Sequence, residues 1–216
     1  AQAFRTGPIG HWLAEGGFRL AEHYGHPELF MGSKKQGFAA YDPRGSIGMG
    51  LAYATSNRGA CHLRGYTISL EHFGNPLKLD PFTMKDKPYW LTILQNTTSF
   101  VDASGICLFS TFDMSPGEDV TAMVSESLGH NVGGPEEMLK IGDRIWNLER
   151  MFNNAAGLTR ADDSLPPRIT SEPLTEGPSK GHVVDLEPML NEYYQLRGWD
   201  TQGRPTSDKL RELSLA

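Results

Sequence analysis

The sequence predicts a mainly α, multihelical and loop-rich fold. Apolar residues recur at helical spacing in several separate segments, period-2 runs are few, and glycines and prolines divide the chain into many loops. The 216 residues carry 38% hydrophobic side chains and a formal charge of −6, ordinary for a globular chain. Disordered, collagen-like and mucin-like classes are thereby excluded. The length allows one large domain or two smaller ones and supports a core without disulfide staples, in keeping with two cysteines. The acidic balance argues against a nucleic-acid partner, which needs a basic footprint. No run approaches the ~18 consecutive apolar residues of a membrane span, so no membrane partner is expected. The opening residues Ala1 to Pro8 lack the order of a signal peptide and an initiating methionine. A cytoplasmic chain, processed or cut from something larger, is the expectation.

The first predicted helix runs from His11 to Tyr24, with Leu13, Leu20 and Tyr24 near one face and Gly16-Gly17 weakening it. A glycine-rich stretch, Gly32 to Gly50, then leads into a short helix of small residues around Met49 to Ala54. Tyr89 to Phe100 reads as a helix with Pro88 near its start. The strongest helix spans Pro135 to Asn154. Its stripe of Met138, Ile141, Ile145, Leu148 and Phe152 is expected to face the core, with Glu136 and Glu137 favouring the N-terminal dipole. A last helix is expected after an Asp185 N-cap, carrying Leu186, Met189, Leu190 and Tyr193 and closed by Gly198. Between these two, Thr159 to His182 holds prolines at 166, 167, 173 and 178 and reads as a surface wrap. Neither a GxGxxG nor a GxxxxGK[ST] motif supports a nucleotide-binding α/β fold.

Two cysteine neighbourhoods could carry chemistry, Asn57 to Gly65 around Cys61-His62, and Val101 to Cys107. Adjacent Cys61 and His62 converge poorly on one ion, and no CxxC or HxxxH spacing completes a zinc site. Free cysteines of this kind are most often buried small hydrophobes. The histidines at 11, 23, 26, 72, 130 and 182 show no convergent spacing.

Longer motifs say more. Tyr41-Asp42-Pro43-Arg44-Gly45, followed by the run Gly50 to Arg64 with its Arg58-Gly59-Ala60-Cys61-His62 core, resembles the tungsten-containing aldehyde ferredoxin oxidoreductase family. So do the DxxGxC element Asp102 to Cys107, the block Gly142 to Arg150, and the tail Glu192 to Asp200, all in family order. The chain departs from the family just before Tyr41, where Lys35-Gln36-Gly37-Phe38-Ala39-Ala40 replaces the usual KGxExP run. The resemblance implies that residues 1–216 are the C-terminal, mostly helical region, parts of the family's second and third domains. The family's N-terminal β-rich pterin-binding domain and its CxxCxxxC segment are absent from this sequence.

What the resemblance implies for single residues is specific. Cys107 matches the fourth ligand of a [4Fe–4S] cluster, a soft thiolate suited to iron, and lies against a pterin in the family. Asp102 matches a carboxylate that accepts pterin N–H groups, while Gly105 permits a close backbone and Ile106 offers backbone polar groups. His62 matches a histidine near the metal, placed to donate a hydrogen bond or shuttle a proton. Arg64 stands where the family has a basic residue at the cofactor. The implied cofactors are tungstopterin (or molybdopterin) and the [4Fe–4S] cluster. The implied partners are an aldehyde, ferredoxin or another electron acceptor, the N-terminal domain of the same subunit, and a second copy in a homodimer. Two alternatives stay open: a related subunit reducing an aromatic thioester or another carbonyl, and a non-catalytic helical interaction module.

Overall fold

Glycine decides the first turns of the chain. In the computed structural model, which describes residue 7 and residues 9–216, the expected His11 to Tyr24 helix is two helices, α1 (Gly10–Glu15) and α2 (Gly17–His23). Gly16 separates them with φ +93°, a conformation that breaks the hydrogen-bond ladder and that a side chain would resist. Leu13 and Tyr24 are exposed and Leu20 is half-buried, so this stripe is not a core face. The leader reading rested on residues 1–6 and Pro8, which lie outside the described residues.

A two-residue hairpin, β1 (Gly32–Ser33) and β2 (Gln36–Gly37), pairs Gly32 with Gly37 and Ser33 with Gln36. Its turn residues, Lys34 and Lys35, both have positive φ, the type I′ requirement usually met by Asn-Gly. The compensation is tertiary: Lys34 Nζ lies 2.7 Å from buried Asp163.

Helix α3 (Ile47–Thr55) is the centre of the fold, and all nine of its residues are buried. Around it pack Leu91, Trp146, Val184, Leu190 and Tyr193. The helix is entered through Ser46, whose hydroxyl bonds Glu71, while the Gly48 amide donates to Glu71 Oε1 at 2.9 Å. Lys87 Nζ closes that fully buried cluster at 2.6 Å from Glu71. The expected Tyr89 to Phe100 helix is longer at both ends, as α4 (Lys87–Ser104). A short α5 (Thr121–Leu128) follows, unread in the sequence.

The Pro135 to Asn154 expectation matches α6 (Pro135–Ala155) in its bounds but not in its face. Met138 is buried and Ile141 and Ile145 are half-buried, but Leu148 is 48% and Phe152 73% exposed. The buried side instead carries Met138, Gly142, Trp146, Asn147 and Arg150. Polar groups lie inward because each is satisfied. Trp146 Nε1 donates to Tyr193 Oη at 2.9 Å, and Arg150 grips Asp163 with two nitrogens at 3.0 and 2.8 Å. A Cβ at Gly142 would overlap the Asn96 carbonyl oxygen, so the missing side chain sets how closely α6 lies on α4.

The proline-rich wrap contains one short helix, α7 (Pro167–Ser171), and returns Val184 to the core. Then α8 (Leu186–Arg197) buries Leu186, Met189, Leu190 and Tyr193 as expected and ends at a left-handed Gly198. The Asp185 side chain makes no capping hydrogen bond, contrary to its expected role. A final helix, α9 (Ser207–Glu212), is capped by Thr206. Among the described residues no helix is long and apolar enough to cross a membrane.

The face correction is testable by denaturation. Trp146→Ala should cost roughly 3–5 kcal/mol and Gly142→Ala roughly 1–3 kcal/mol, whereas Phe152→Ser should stay within about 0.5 kcal/mol of wild type. The opposite order would show the apolar stripe inside.

Candidate functional site

The end of α4 is built to stop sharply. Gly105 takes φ +77° and its amide returns to the Asp102 carbonyl at 3.2 Å, turning the chain out of the helix. A Cβ added there would meet nothing within 4 Å, so the backbone faces open space. Asp102 lies in the last turn before this stop, and Cys107 lies just after it, capping the 3-10 turn Leu108–Phe112. Cys107 is a free, exposed thiol, whereas the Cys61 thiol is free and buried. Ile106, between Gly105 and Cys107, is half-buried. Its side chain packs against the Phe100, Val120 and Met138 cluster, and its amide already bonds Ser104 Oγ at 3.3 Å, leaving only the carbonyl.

Arg64 reaches this helix end from a separate loop, with its guanidinium 2.7 Å from Asp102 Oδ2. The pair is partly solvated, so it contributes at most about 1 kcal/mol to stability. A carboxylate offers about four lone-pair sites, so Asp102 keeps acceptor capacity beyond this bond. The loop is pinned at both ends. Gly65 sits against Leu91 and Gln95 of α4, and Asn57 is tied to α6. Asn57 Nδ2 donates to the Trp146 carbonyl at 3.1 Å and to Glu149 at 3.3 Å, while Asn153 Nδ2 donates to the Asn57 carbonyl at 2.7 Å. With its amide nitrogen so occupied, the buried Oδ1 of Asn57 has no partner among the described residues. Asn57, Arg58, Arg64, Glu149, Phe152 and Asn153 line an open cleft of about 280 Å³. Exposed Phe152, expected in the core, is thus a wall of this cleft.

His62 has a different setting. Its ring lies against Tyr41, with centroids 5.6 Å apart, and meets Tyr66 edge-on at 6.2 Å. The two tyrosine hydroxyls are 3.1 Å from each other. Burial, and then the Arg58 charge, hold the imidazole below its ordinary pKa, so His62 is neutral at pH 7. The unfolded chain binds the His62 proton more tightly. This side chain therefore favours folding above about pH 6.5, and that contribution is lost as pH falls through its lowered value.

The structure joins Arg64 to Asp102, with Gly105 and Cys107 on the same helix end. No hydrogen bond, ion pair or ring contact among the described residues joins His62 to Asp102 or Cys107; its electrostatic link to the cleft is Arg58. Nor does any trio of His, Cys, Asp or Glu gather as a metal site among those residues. Sequence reasoning missed the Tyr41–Tyr66 pair and the Asn57 clamp. Tyr41 stood in a recognised motif, but nothing in its spacing signals a partner at Tyr66.

Comparison with known proteins decides the family. A family model described as aldehyde ferredoxin oxidoreductase, domains 2 and 3, matches residues 2–215. The chain belongs to this family. It is 51% identical over 96% of its length to the tungsten-containing aldehyde ferredoxin oxidoreductase of Pyrococcus abyssi, and 50% identical over the same share to that of Pyrococcus furiosus. It spans only 34% of each of those relatives. A more distant family relative, the WOR-like subunit of an aliphatic sulfonate oxidoreductase of Pyrococcus furiosus, is 32% identical over 54% of this chain.

One consequence can be read by histidine NMR. Arg58→Gln should raise the His62 titration midpoint toward about 6.5, though not to it, because burial is the larger cause and remains. An unmoved midpoint would remove Arg58 from the electrostatics of this site.

Proposed function

We propose that the chain is the C-terminal, mostly helical part of an oxidoreductase subunit that oxidises aldehydes to carboxylates at a tungsten (or molybdenum) bis-pterin centre. A [4Fe–4S] cluster would carry the electrons on to ferredoxin or another one-electron acceptor. The observation that carries this reading is the helix end itself, where an exposed thiol and an arginine-paired carboxylate stand on either side of the open turn at Gly105. The donor set fits one edge of such a cofactor assembly: a thiolate for iron, a carboxylate for pterin N–H groups and a guanidinium for negative charge. One thiolate does not hold a four-iron cluster. The other cluster ligands are assigned to the family's β-rich N-terminal domain, outside these 216 residues.

In the overall reaction an aldehyde and water give a carboxylic acid, two protons and two electrons. When bound, the metal centre would supply Lewis acidity and the capacity to take up two electrons. The rest is the work of this chain. Neutral His62 takes a proton from water as its oxygen adds to the carbonyl carbon, and the imidazole then passes that proton to solvent. Asp102 and Arg64 would hold the pterin by hydrogen bonds, and Cys107 would supply a thiolate to the cluster. Identity of about 50% to the aldehyde enzymes, against 32% over half the chain for the sulfonate relative, favours the aldehyde over another carbonyl or thioester. The interaction-module alternative leaves the exposed thiol and the neutral histidine without a task.

Two measurements test this. In the full-length subunit loaded with metal, Cys107→Ser should lose stoichiometric cluster iron and electron transfer to ferredoxin, and the 216-residue chain by itself should carry no intact cluster. His62→Ala should slow turnover roughly 10²–10⁴-fold while keeping tungsten or molybdenum bound. Full iron and sulfide in the Cys107→Ser subunit would defeat the cluster assignment.

A further inference from the structure

We propose that Tyr66 is a positioning residue for this site: its hydroxyl holds the Tyr41 hydroxyl beside His62, so that Tyr41 presents a fixed O–H donor next to the proton-accepting imidazole. The proposal rests on the reading of His62 given above.

The geometry comes from two loops anchored independently. Tyr41 lies just before the turn Pro43–Gly45, its amide bonded to the Ala39 carbonyl at 2.7 Å. Its own carbonyl accepts the hydroxyl of Tyr53, a fully buried residue of α3, at 3.5 Å. Tyr66 follows the tight turn at Gly65, and its carbonyl accepts both the amide and the hydroxyl of Ser69, at 3.2 and 2.8 Å. Each backbone is thus fixed by its own contacts. The 3.1 Å bond between the hydroxyls does not hold either loop in place.

Its effect is on orientation. A phenol hydroxyl rotates freely about its C–O bond unless a partner fixes it. Two neutral phenols carry two protons, and the bond between them uses one. With Tyr66 donating, the Tyr41 proton is free to point at an acceptor. Burial and the bond to Tyr41 push the Tyr66 phenol up to about 12, so it stays protonated at neutral pH. All three rings are half-buried and so retain solvent-facing surface. An aldehyde oxygen there would accept from Tyr41 while His62 receives the proton of the attacking water.

The test uses the full-length, metal-loaded subunit with Tyr66→Phe, Tyr41→Phe, the double variant and His62→Ala. Tyr66→Phe should lower kcat about tenfold with KM little changed, because an interaction realised in the transition state is lost. Tyr41→Phe should lower kcat at least as much, and the double variant should be no slower than Tyr41→Phe, since Tyr66 acts only through Tyr41. A second readout needs no turnover. In tyrosine ¹³Cζ NMR, Tyr41→Phe should lower the Tyr66 titration midpoint from about 12, and Tyr66→Phe should shift the Tyr41 resonance. A Tyr66→Phe subunit with lower Tm but wild-type kcat and an unmoved Tyr41 resonance would reduce the pair to a structural bond and overturn the proposal. His62→Ala separates the two failures. Wild-type turnover in that variant overturns the reading of the site, whereas slow His62→Ala beside wild-type Tyr66→Phe overturns only the positioning role.

Discussion

The close crossing of α4 and α6 is the constraint on which the rest of the molecule depends. It exists because residue 142 has no side chain: any Cβ there would run into the Asn96 carbonyl. Arg197 of α8 then locks the crossing from below. Its guanidinium donates to Asn96 Oδ1 at 2.5 Å, to Gln95 Oε1 at 2.7 Å and to Asp143 at 2.9 Å, touching both helices at once. Every part of the candidate site is fixed to this pair. Asp102 and Cys107 stand at one end of α4, and the loop carrying His62 and Arg64 is pinned to α6 through Asn57 and to α4 through Gly65.

Three buried charge clusters brace the fold, centred on Glu71, Asp163 and Arg197. Such clusters repay their desolvation only when fully hydrogen-bonded, and breaking one partner is costly because it strands a buried charge. Asp163 illustrates the balance. Burial alone would raise its carboxyl pKa, but the charges of Lys34 and Arg150 outweigh burial and hold it below the ordinary carboxylate range. Its contribution is present at neutral pH and disappears as pH falls through that depressed value. The clusters also fix directions, since each arginine fork accepts one arrangement of partners.

Helix bounds were legible in the sequence wherever chemistry at the ends was strong. Pro135 with Glu136 and Glu137 announces α6, and Gly198 announces the end of α8. The buried face of α6 was not legible. Its inward residues include Gly142, Asn147 and Arg150, which a hydrophobic stripe excludes, and they lie inward only because partners far along the chain satisfy them. The hairpin at Lys34-Lys35 was hidden for the same reason, its left-handed turn being held by Asp163 instead of by an Asn-Gly pair. For the candidate site, motif matching pointed to Asp102, Cys107, His62 and Arg64. The Arg64–Asp102 ion pair and the Tyr41–Tyr66 pair are tertiary facts that no local pattern encodes.

The proposed function makes the exposed thiol at the end of α4 a cluster ligand beside a pterin held by Asp102 and Arg64. Anomalous diffraction from the metal-loaded, full-length subunit, recorded at the iron and tungsten edges, tests it most directly. The expected result is iron bonded to Cys107 Sγ and a pterin ring hydrogen-bonded to Asp102. Iron bound by four other ligands, with Cys107 open to solvent and the Arg64–Asp102 pair far from any pterin, would contradict it.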